Sequence, residues 1–529
     1  MSNIQILDVT LRDGGCVNDF NFGIKYMQKI LLALENSKID IIELGYLDNT
    51  NGSIADRTKY VNEKVIYENF VTDKKNKISY VAMMDYGKFD VDRLEICNQN
   101  GIDGIRLAFH KKDMLNIVPI AKKIMTKGYN LYIQPMITMR YTDVELLQLI
   151  EIVNKELYNA KAFYIVDSFG EMKSHDVTRI MNLVDHNLVN TIAIGFHSHN
   201  NMQMSYSNAM TLLGYDTERN LIIDSSIMGM GKGAGNLNTE LLIEELNAKH
   251  NGKYDNNSLL EVIDTVVEPL HSEFDWGYSV EYYLSAINGC TPSYAGYFYN
   301  KHSMAIDQLN ELLGMIDEHK KISFDKLYAE EIYKKYNAQN QIDDSEVLKE
   351  IKRACLKKEV LIVAPGKSLI QEKNNIIDKL ENSNVISFGL NITDDFNFDY
   401  IVITRKELLE KALMQETKII IPSNLAKYTK NKKAIVIDYK KWIDENEQVH
   451  DSSSVILLNI LAHIGINKIA LAGFDGFSQI TSSNYYDYSL RNHLDEQQVN
   501  SRNKYYKDFL GRLKKSGVDI EFLTATMYC

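Results

Sequence analysis

Through about its first 250 residues the chain repeats one pattern, a short apolar run followed by an amphipathic stretch of helical length. The runs are Gln5–Arg12, Asp40–Tyr46, Ile78–Met84, Gly104–Phe109, Leu131–Ile137, Ala162–Asp167, Thr191–His197 and Leu221–Ile227. They are apolar nearly throughout and rich in β-branched and aromatic residues. That suits parallel strands buried on both faces; half-exposed strands would alternate apolar with polar. Between them lie helix-length segments such as Ile24–Asn36, Asp90–Asn100, Met114–Lys127, Thr142–Glu156 and Ser174–Asn187. Gly101 and Gly128 follow two of these in the position that ends a helix. Eight β/α units at this spacing match the count and size of a (β/α)8 TIM barrel. A doubly wound open sheet is the competing arrangement, and strand number favours the barrel.

The pattern changes after residue 254. Residues 255–353 read as a helical extension, interrupted at Asn288-Gly-Cys-Thr-Pro-Ser. A second α/β region follows, with strand candidates Val360–Ala364, Val385–Phe388, Tyr400–Thr404, Lys418–Ile421, Ala434–Ile437, Lys468–Ala472 and Asp519–Leu523. Three parts are expected: a barrel over 1–254, the extension over 255–353, and a Rossmann-like open-sheet α/β domain over 354–529. With only 6 prolines among 529 residues there is no proline-rich linker, so helices should join the parts. The formal charge of −12 argues against a general nucleic-acid binder. Five cysteines stand singly with no Cys-x-x-Cys pair, which fits a reducing cytoplasm. No membrane span or signal peptide is expected, because no run reaches 18 apolar residues and the N-terminus lacks a basic flank. A cytoplasmic homo-oligomer acting on small molecules is expected.

Barrel enzymes carry their chemistry at the C-terminal ends of the strands. Here the first run leads into Thr10-Leu-Arg12-Asp13-Gly14-Gly15, the second ends near Glu43, and the fourth carries Arg106. The sixth ends in Asp167-Ser168, and the seventh in His197-Ser198-His199. The eighth runs into a glycine-rich stretch ending at Asn236. Residues two apart on a strand share a side, so His197 and His199 can present two imidazoles to one metal ion, and Asp13 can add an oxygen. Such a set suits a divalent cation acting as Lewis acid; an incidental pair on a polar strand is the bland alternative. Arg12 is permanently charged, and is either half of a structural ion pair or the group that stabilises an enolate oxygen. Glu43 joins it as a catalytic candidate, with Arg106, Asp167 and Ser168 at the substrate. Lys232 is not followed by Ser or Thr, so the glycines form no Walker loop, and a tight turn delivering Asn236 is the better reading.

Asp8-Val-Thr-Leu-Arg-Asp-Gly-Gly, Gly195-Phe-His-Ser-His-Asn-Asn and Gly229-Met-Gly-Lys-Gly-Ala-Gly-Asn resemble the signatures of the DRE-TIM metallolyase (HMGL-like) superfamily. Its members include 4-hydroxy-2-oxovalerate aldolases, hydroxymethylglutaryl-CoA lyases and isopropylmalate synthases. The Gly-Ala-Gly-Asn turn is most similar to the aldolases, and Ser293-Tyr-Ala-Gly-Tyr-Phe-Tyr is faintly similar to their helical extension. The resemblance implies a class II pyruvate aldolase or lyase working on 2-oxo acid and aldehyde substrates. Asp13, His197, His199 and Asn236 would hold a divalent metal ion (Mn2+, Mg2+ or Co2+, with Zn2+ an alternative), and Arg12 would steady the pyruvate enolate. The aldolases carry an acid–base histidine just after Asp-Gly, where this chain reads Gly15-Cys16-Val17-Asn18. Cys16, Tyr46, Tyr297, Tyr299 or a bound water must then move the proton, and the acceptor should differ from acetaldehyde. A Claisen-type acyl-CoA condensation stays open, as does a degenerate barrel beside a C-terminal transferase or docking domain.

In the last region, Val360-Leu-Ile-Val-Ala-Pro-Gly366-Lys367-Ser368 reads as a strand, a turn and then a helix over Leu369–Glu381, whose first amides can hold a phosphate. It has neither the upstream glycine of a Walker loop nor a Gly-x-Gly-x-x-Gly. Together with a later strand ending in Asp475-Gly476, it weakly resembles bacterial sialyltransferases and MptE-like pterin diphosphokinases. That implies a nucleotide or phosphosugar at Gly366, Lys367, Ser368 and Asp475, with His493 and the tyrosines from Tyr485 lining the cleft, and a setting in bacterial surface-sugar synthesis. A turn with no ligand is the alternative.

Overall fold

The computed structural model describes residues 4–48, 56–70, 77–98, 101–250, 252–299, 304–339, 341–392, 396–429, 434–444, 446, 449, 451–478, 484–485 and 496–529. His493 lies outside them. Two compact units result: Met1–Gly296 with Ile316–Phe324, and Tyr297–Met315 with Asp325–Cys529.

The first unit holds β1 (Ile4–Asp8), β2 (Ile41–Leu47), β3 (Lys59–Tyr60), β4 (Ser79–Asp85), β5 (Gly104–Phe109), β6 (Asn130–Pro135), β7 (Ala162–Asp167), β8 (Ala193–Ser198) and β9 (Leu221–Ser225). They pair in the order β1-β9-β8-β7-β6-β5-β4-β2, and β2 pairs back to β1, closing eight parallel strands into a barrel. The two residues of β3 are an addition outside the ring. Each strand divides its side chains between two layers, because successive residues point to opposite faces. Leu7, Val9, Ile41, Val81, Tyr132, Tyr164, Val166 and Ile222 fill the interior. Ile6, Tyr80, Ala82, Ile105, Leu107, Phe163, Ile194 and Phe196 face outward into the helix layer. Burial of each large apolar side chain contributes roughly 1.5–3 kcal/mol. Helix Ile24–Asn36 supplies Met27, Ile30, Leu31 and Leu34 to that layer, at the spacing that keeps them on one helix face. Among the described residues, no helix is long and apolar enough to cross a membrane.

The first strand is shorter than its apolar run. It stops at Asp8 because the Val9 carbonyl accepts from the amides of Arg12 and Asp13 at 3.0 and 2.8 Å, curling the chain into a turn. The turn lifts Arg12 and Asp13 over the end of the barrel.

The second unit has β10 (Glu359–Val363), β11 (Val385–Leu390), β12 (Tyr400–Val402), β13 (Lys418–Pro422), β14 (Ala434–Ile437), β15 (Lys468–Ala472) and β16 (Asp519–Phe522). The sheet is all parallel, in the order β14-β13-β12-β11-β10-β15-β16. Chain progression therefore reverses between β10 and β15. The helical stretch expected as one extension is divided between the units. Helix Val280–Ile287 belongs to the first, while Ile306–Gly314, Lys326–Ala338 and Ser345–Cys355 belong to the second. Leu348, Ile351 and Cys355 pack with Val360 and Ile362 in the second unit's core. An amphipathic pattern marks an apolar face, not the core that will receive it.

Candidate active site

Strand β8 places Ala193 inward and Phe196 outward, so His197 faces the barrel interior and His199, two residues on, follows it. Asp13 arrives from the turn after β1. One ligand atom from each of Asp13, His197 and His199 lies within 4.8 Å of the others, and all three residues are buried. The imidazoles meet edge to face with centroids 5.1 Å apart. Each is oriented through Nδ1: His197 donates to Asp224 Oδ2 at 2.9 Å, and His199 donates to the Lys232 carbonyl at 3.1 Å. Both partners are pure acceptors, so these bonds assign the tautomer and leave each Nε2 lone pair for a ligand.

Asn236 Nδ2 donates to Asp13 Oδ2 at 2.8 Å, and its Oδ1 is buried with no partner among the described residues. The glycine turn allows this. A Cβ at Gly231 would stand 2.2 Å from Asn236 Nδ2 and 2.6 Å from Asp13 Oδ2, and one at Gly235 (φ +83°) would stand 1.9 Å from the Gly229 carbonyl. Protonation states agree with metal binding. Burial opposes ionisation of Asp13, but Arg12 and the two histidines hold its carboxyl well below the usual range. Burial pushes His199 down to about 4, against the pull of Asp13. A carboxylate, two imidazoles and an orphaned amide oxygen fit a divalent cation.

The His199 shift sets a pH dependence for the metal-free protein. Between pH 6.5 and about 4 the unfolded chain binds a proton at His199 that the folded chain does not. Stability from this group is therefore complete above pH 6.5 and declines as pH falls towards 4, by on the order of 3 kcal/mol. Urea unfolding of wild type and His199→Gln across pH 4–8 should show a difference that changes only below pH 6.5.

Beside the triad runs a chain of buried charges. Arg12 donates through Nε to Glu43 Oε2 at 2.7 Å and through Nη1 to Asp13 Oδ1 at 2.6 Å, while Nη2 is buried with no partner among the described residues. Arg106 donates through Nη1 to the same Glu43 oxygen at 2.7 Å and through Nη2 to Asp224. Its guanidinium stacks on Tyr164 at 4.8 Å, and Tyr164 has room because Gly195 opposite bears no Cβ, which would meet the ring at 2.3 Å. With Gln134 oriented so that both groups are satisfied, its oxygen accepts from Arg106 Nε and Nη2 at 3.1 Å.

Residues 3–266 match the HMGL-like family. The barrel is an HMGL-like domain. The HMGL-like barrel is 27% identical over 271 residues to the 4-hydroxy-2-oxovalerate aldolase of Shewanella halifaxensis, covering 50% of this chain and 76% of that protein. It is 26% identical over 250 residues to the aldolase of the same name from Geobacillus thermodenitrificans, covering 46% and 69%. Among solved structures it is similar to an N-terminal domain from Bacteroides vulgatus, at 26% identity and TM-score 0.48, covering 58% of this chain and 99% of that one.

Several side chains of the HMGL-like barrel do not stand where the sequence suggested. Arg106, expected at the substrate, is 0% exposed and sits beneath the site, where it braces Glu43 and Asp224. Arg106→Met should leave Glu43 with Arg12 alone and Asp224 with His197 alone, lowering stability by about 3–5 kcal/mol, measurable as a lower urea midpoint. Asp167 follows inward Val166 and so points out of the barrel; its carboxylate accepts from the amides of Glu171 and Met172 at 2.9 and 3.1 Å. Burial pushes it up to about 7. Ser168 Oγ accepts from the Ile137 amide at 2.9 Å. Both shape loops. Cys16 reaches solvent at the surface, yet the protein crowding its thiol, with Asp13 nearby, pushes it up to about 12, so it stays protonated at neutral pH. Tyr297 and Tyr299 belong to the second unit, where the Tyr297 hydroxyl donates to Glu330 and Tyr299 is exposed. Asp224, absent from the expected set, orients His197. Its one signal is a carboxylate inside the apolar run Leu221-Ile-Ile-Asp224-Ser.

In the second unit, β10 and β15 bring Gly366–Ser368 and Asp475 together. The Ser368 amide donates to Asp475 Oδ2 at 2.7 Å and its hydroxyl to Oδ1 at 2.5 Å. A Cβ at Gly366 would stand 2.2 Å from the Gly473 carbonyl. The expected helix over Leu369–Glu381 is a short turn of 3-10 helix, Lys367–Ile370, followed by an α-helix only at Lys373–Leu380. The amide expected to meet a phosphate donates to a carboxylate instead, and Lys367 is exposed.

Proposed function

We propose that the barrel is a divalent-metal-dependent class II pyruvate aldolase, making or breaking a carbon–carbon bond between a pyruvyl unit and an aldehyde. The convergence of Asp13, His197, His199 and the unpartnered Asn236 Oδ1 beside the unpartnered Arg12 Nη2 carries the proposal. The names of the aldolase relatives support it. Mn2+, Mg2+ or Co2+, when bound, supplies a Lewis acid that polarises the 2-oxo acid. Arg12 is held from two sides, by Glu43 and by Asp13, so that Nη2 can donate to the oxygen on which enolate charge develops. Arg106 keeps Glu43 and Asp224 in place, and through them the directions of Arg12 and His197. The protonated Cys16 thiol is a poor base, so the proton of the substrate hydroxyl must pass to another group.

For the second unit we infer a nucleotide or phosphosugar ligand, which would set the reaction in surface-sugar synthesis. The reversal of strand order between β10 and β15 supports it, since open α/β sheets bind ligands in the crevice at such a point. There Asp475 is suited to accept from ligand hydroxyls. The deciding experiment follows pyruvate release from phosphorylated and nucleotide-linked hydroxy-oxo acids, using metal-stripped protein with each ion restored in turn. Release is expected only with an ion present. Equal release from the stripped protein would remove the metal-dependent aldolase reading.

A further inference from the structure

On β4, Tyr80, Ala82 and Met84 point outward and Val81 inward, so Met83 and Asp85 also face the interior. Asp85 is the last inward residue of its strand, at the end of the barrel where Arg12 and the triad stand. Its partner in register on β5 is Ala108, which bears only a methyl group. On the other side, a register shift in β2 between Glu43 and Tyr46 sets Tyr46 opposite Met83. Tyr46 therefore shares this end of the barrel, its ring centroid 5.9 Å from the Arg12 guanidinium and 5.7 Å from Phe20.

Asp85 is only 9% exposed. Its Oδ2 accepts from Lys88 Nζ at 2.5 Å, but Oδ1 is buried and has no partner among the described residues. A buried carboxylate oxygen without a donor is costly unless a ligand provides one. The chemistry assigned to the triad and Arg12 does not use it. Tyr46 supplies the opposite sense: burial, then the charge of Asp85, raises its phenol well above the usual range, so it remains a donor. An acceptor with a bare alkyl chain has nothing to give Asp85. A hydroxylated aldehyde has both groups, a carbonyl oxygen to accept and a neighbouring hydroxyl to donate.

We propose, resting on the aldolase reading above, that Asp85 and Tyr46 form the acceptor subsite and select a hydroxylated, aldose-like aldehyde over an alkyl aldehyde. Asp85 is the specificity residue. Its free oxygen accepts from a hydroxyl on the carbon next to the carbonyl, and discrimination comes from leaving that oxygen dry when the hydroxyl is missing.

The test uses the full chain loaded with Mn2+. Exchange of pyruvate methyl hydrogens in D2O, followed by NMR, reports enolisation without any acceptor. Aldol addition is then measured with glycolaldehyde and glyceraldehyde against acetaldehyde and propionaldehyde, each rate normalised to that protein's own exchange. The wild type should favour the hydroxylated aldehydes in kcat/KM, and Asp85→Leu should reduce that preference by about 10- to 100-fold. Asp85→Asn, which keeps shape and an acceptor but loses charge, should fall between them and carries the test if the leucine variant does not fold. An equal preference in the wild type, or an unchanged ratio in both variants, overturns the subsite. Absence of exchange in the loaded wild type overturns the aldolase reading instead, and the subsite with it.

Discussion

Arg12→Ala should slow pyruvate methyl hydrogen exchange and carbon–carbon cleavage together, by about 100- to 1000-fold in kcat, with a much smaller change in KM. The reason is geometric. Two of the three guanidinium nitrogens are already bonded, Nε to Glu43 and Nη1 to Asp13, and only Nη2 is left to meet a developing negative charge. A donor fixed in this way needs no reorganisation when charge appears, which is why its loss falls on the chemical step. Arg12→Lys should recover little, since an ammonium on a flexible stem cannot hold Glu43, Asp13 and substrate in one plane. Because Glu43 keeps its bond to Arg106, the alanine variant should still fold, and circular dichroism would check this. Exchange within threefold of wild type would remove Arg12 from the reaction.

His199→Ala should abolish stoichiometric binding of a divalent ion and, with it, pyruvate release. His199 provides one of two buried imidazoles, and the remaining Asp13, His197 and the weak amide oxygen of Asn236 cannot both hold a divalent ion tightly and leave sites for a chelating 2-oxo acid. Calorimetric titration of metal-stripped protein with Mn2+ should show one site per chain in the wild type and none in the variant. Asp224→Asn should act more gently, weakening the ion by about 10- to 100-fold, because it removes the acceptor that turns His197 and not a ligand. Full activity of a metal-stripped His199 variant would sink the metal assignment.

Much of the barrel was legible because a parallel strand buried on both faces has a distinctive composition and closure requires eight of them. The pairing of His197 with His199 follows from the two-residue period of a strand alone. The glycine-rich motif after β9 needs residues without a Cβ for its turn, as Gly231 and Gly235 show.

The rest depended on which way a strand end faces and on neighbours distant in the chain. Asp167 and Asp224 each end or nearly end an apolar run, and in the sequence nothing separates them. In the barrel one lies on the outer face, capping a loop, while the other lies inside between Arg106 and His197. The donors of Arg106 are taken by Glu43, 63 positions away, and Asp224, 118 away, partners that no local pattern announces. Ser368 and Asp475, 107 positions apart, meet in a bond at the turn after β10. Local side-chain chemistry and strand period thus determined the fold and the Asp13–His197–His199 triad. Charge partners, inward or outward direction at strand ends, and the division of helices between two cores were decided by barrel closure and sheet order, since these alone bring remote residues within a hydrogen bond's reach.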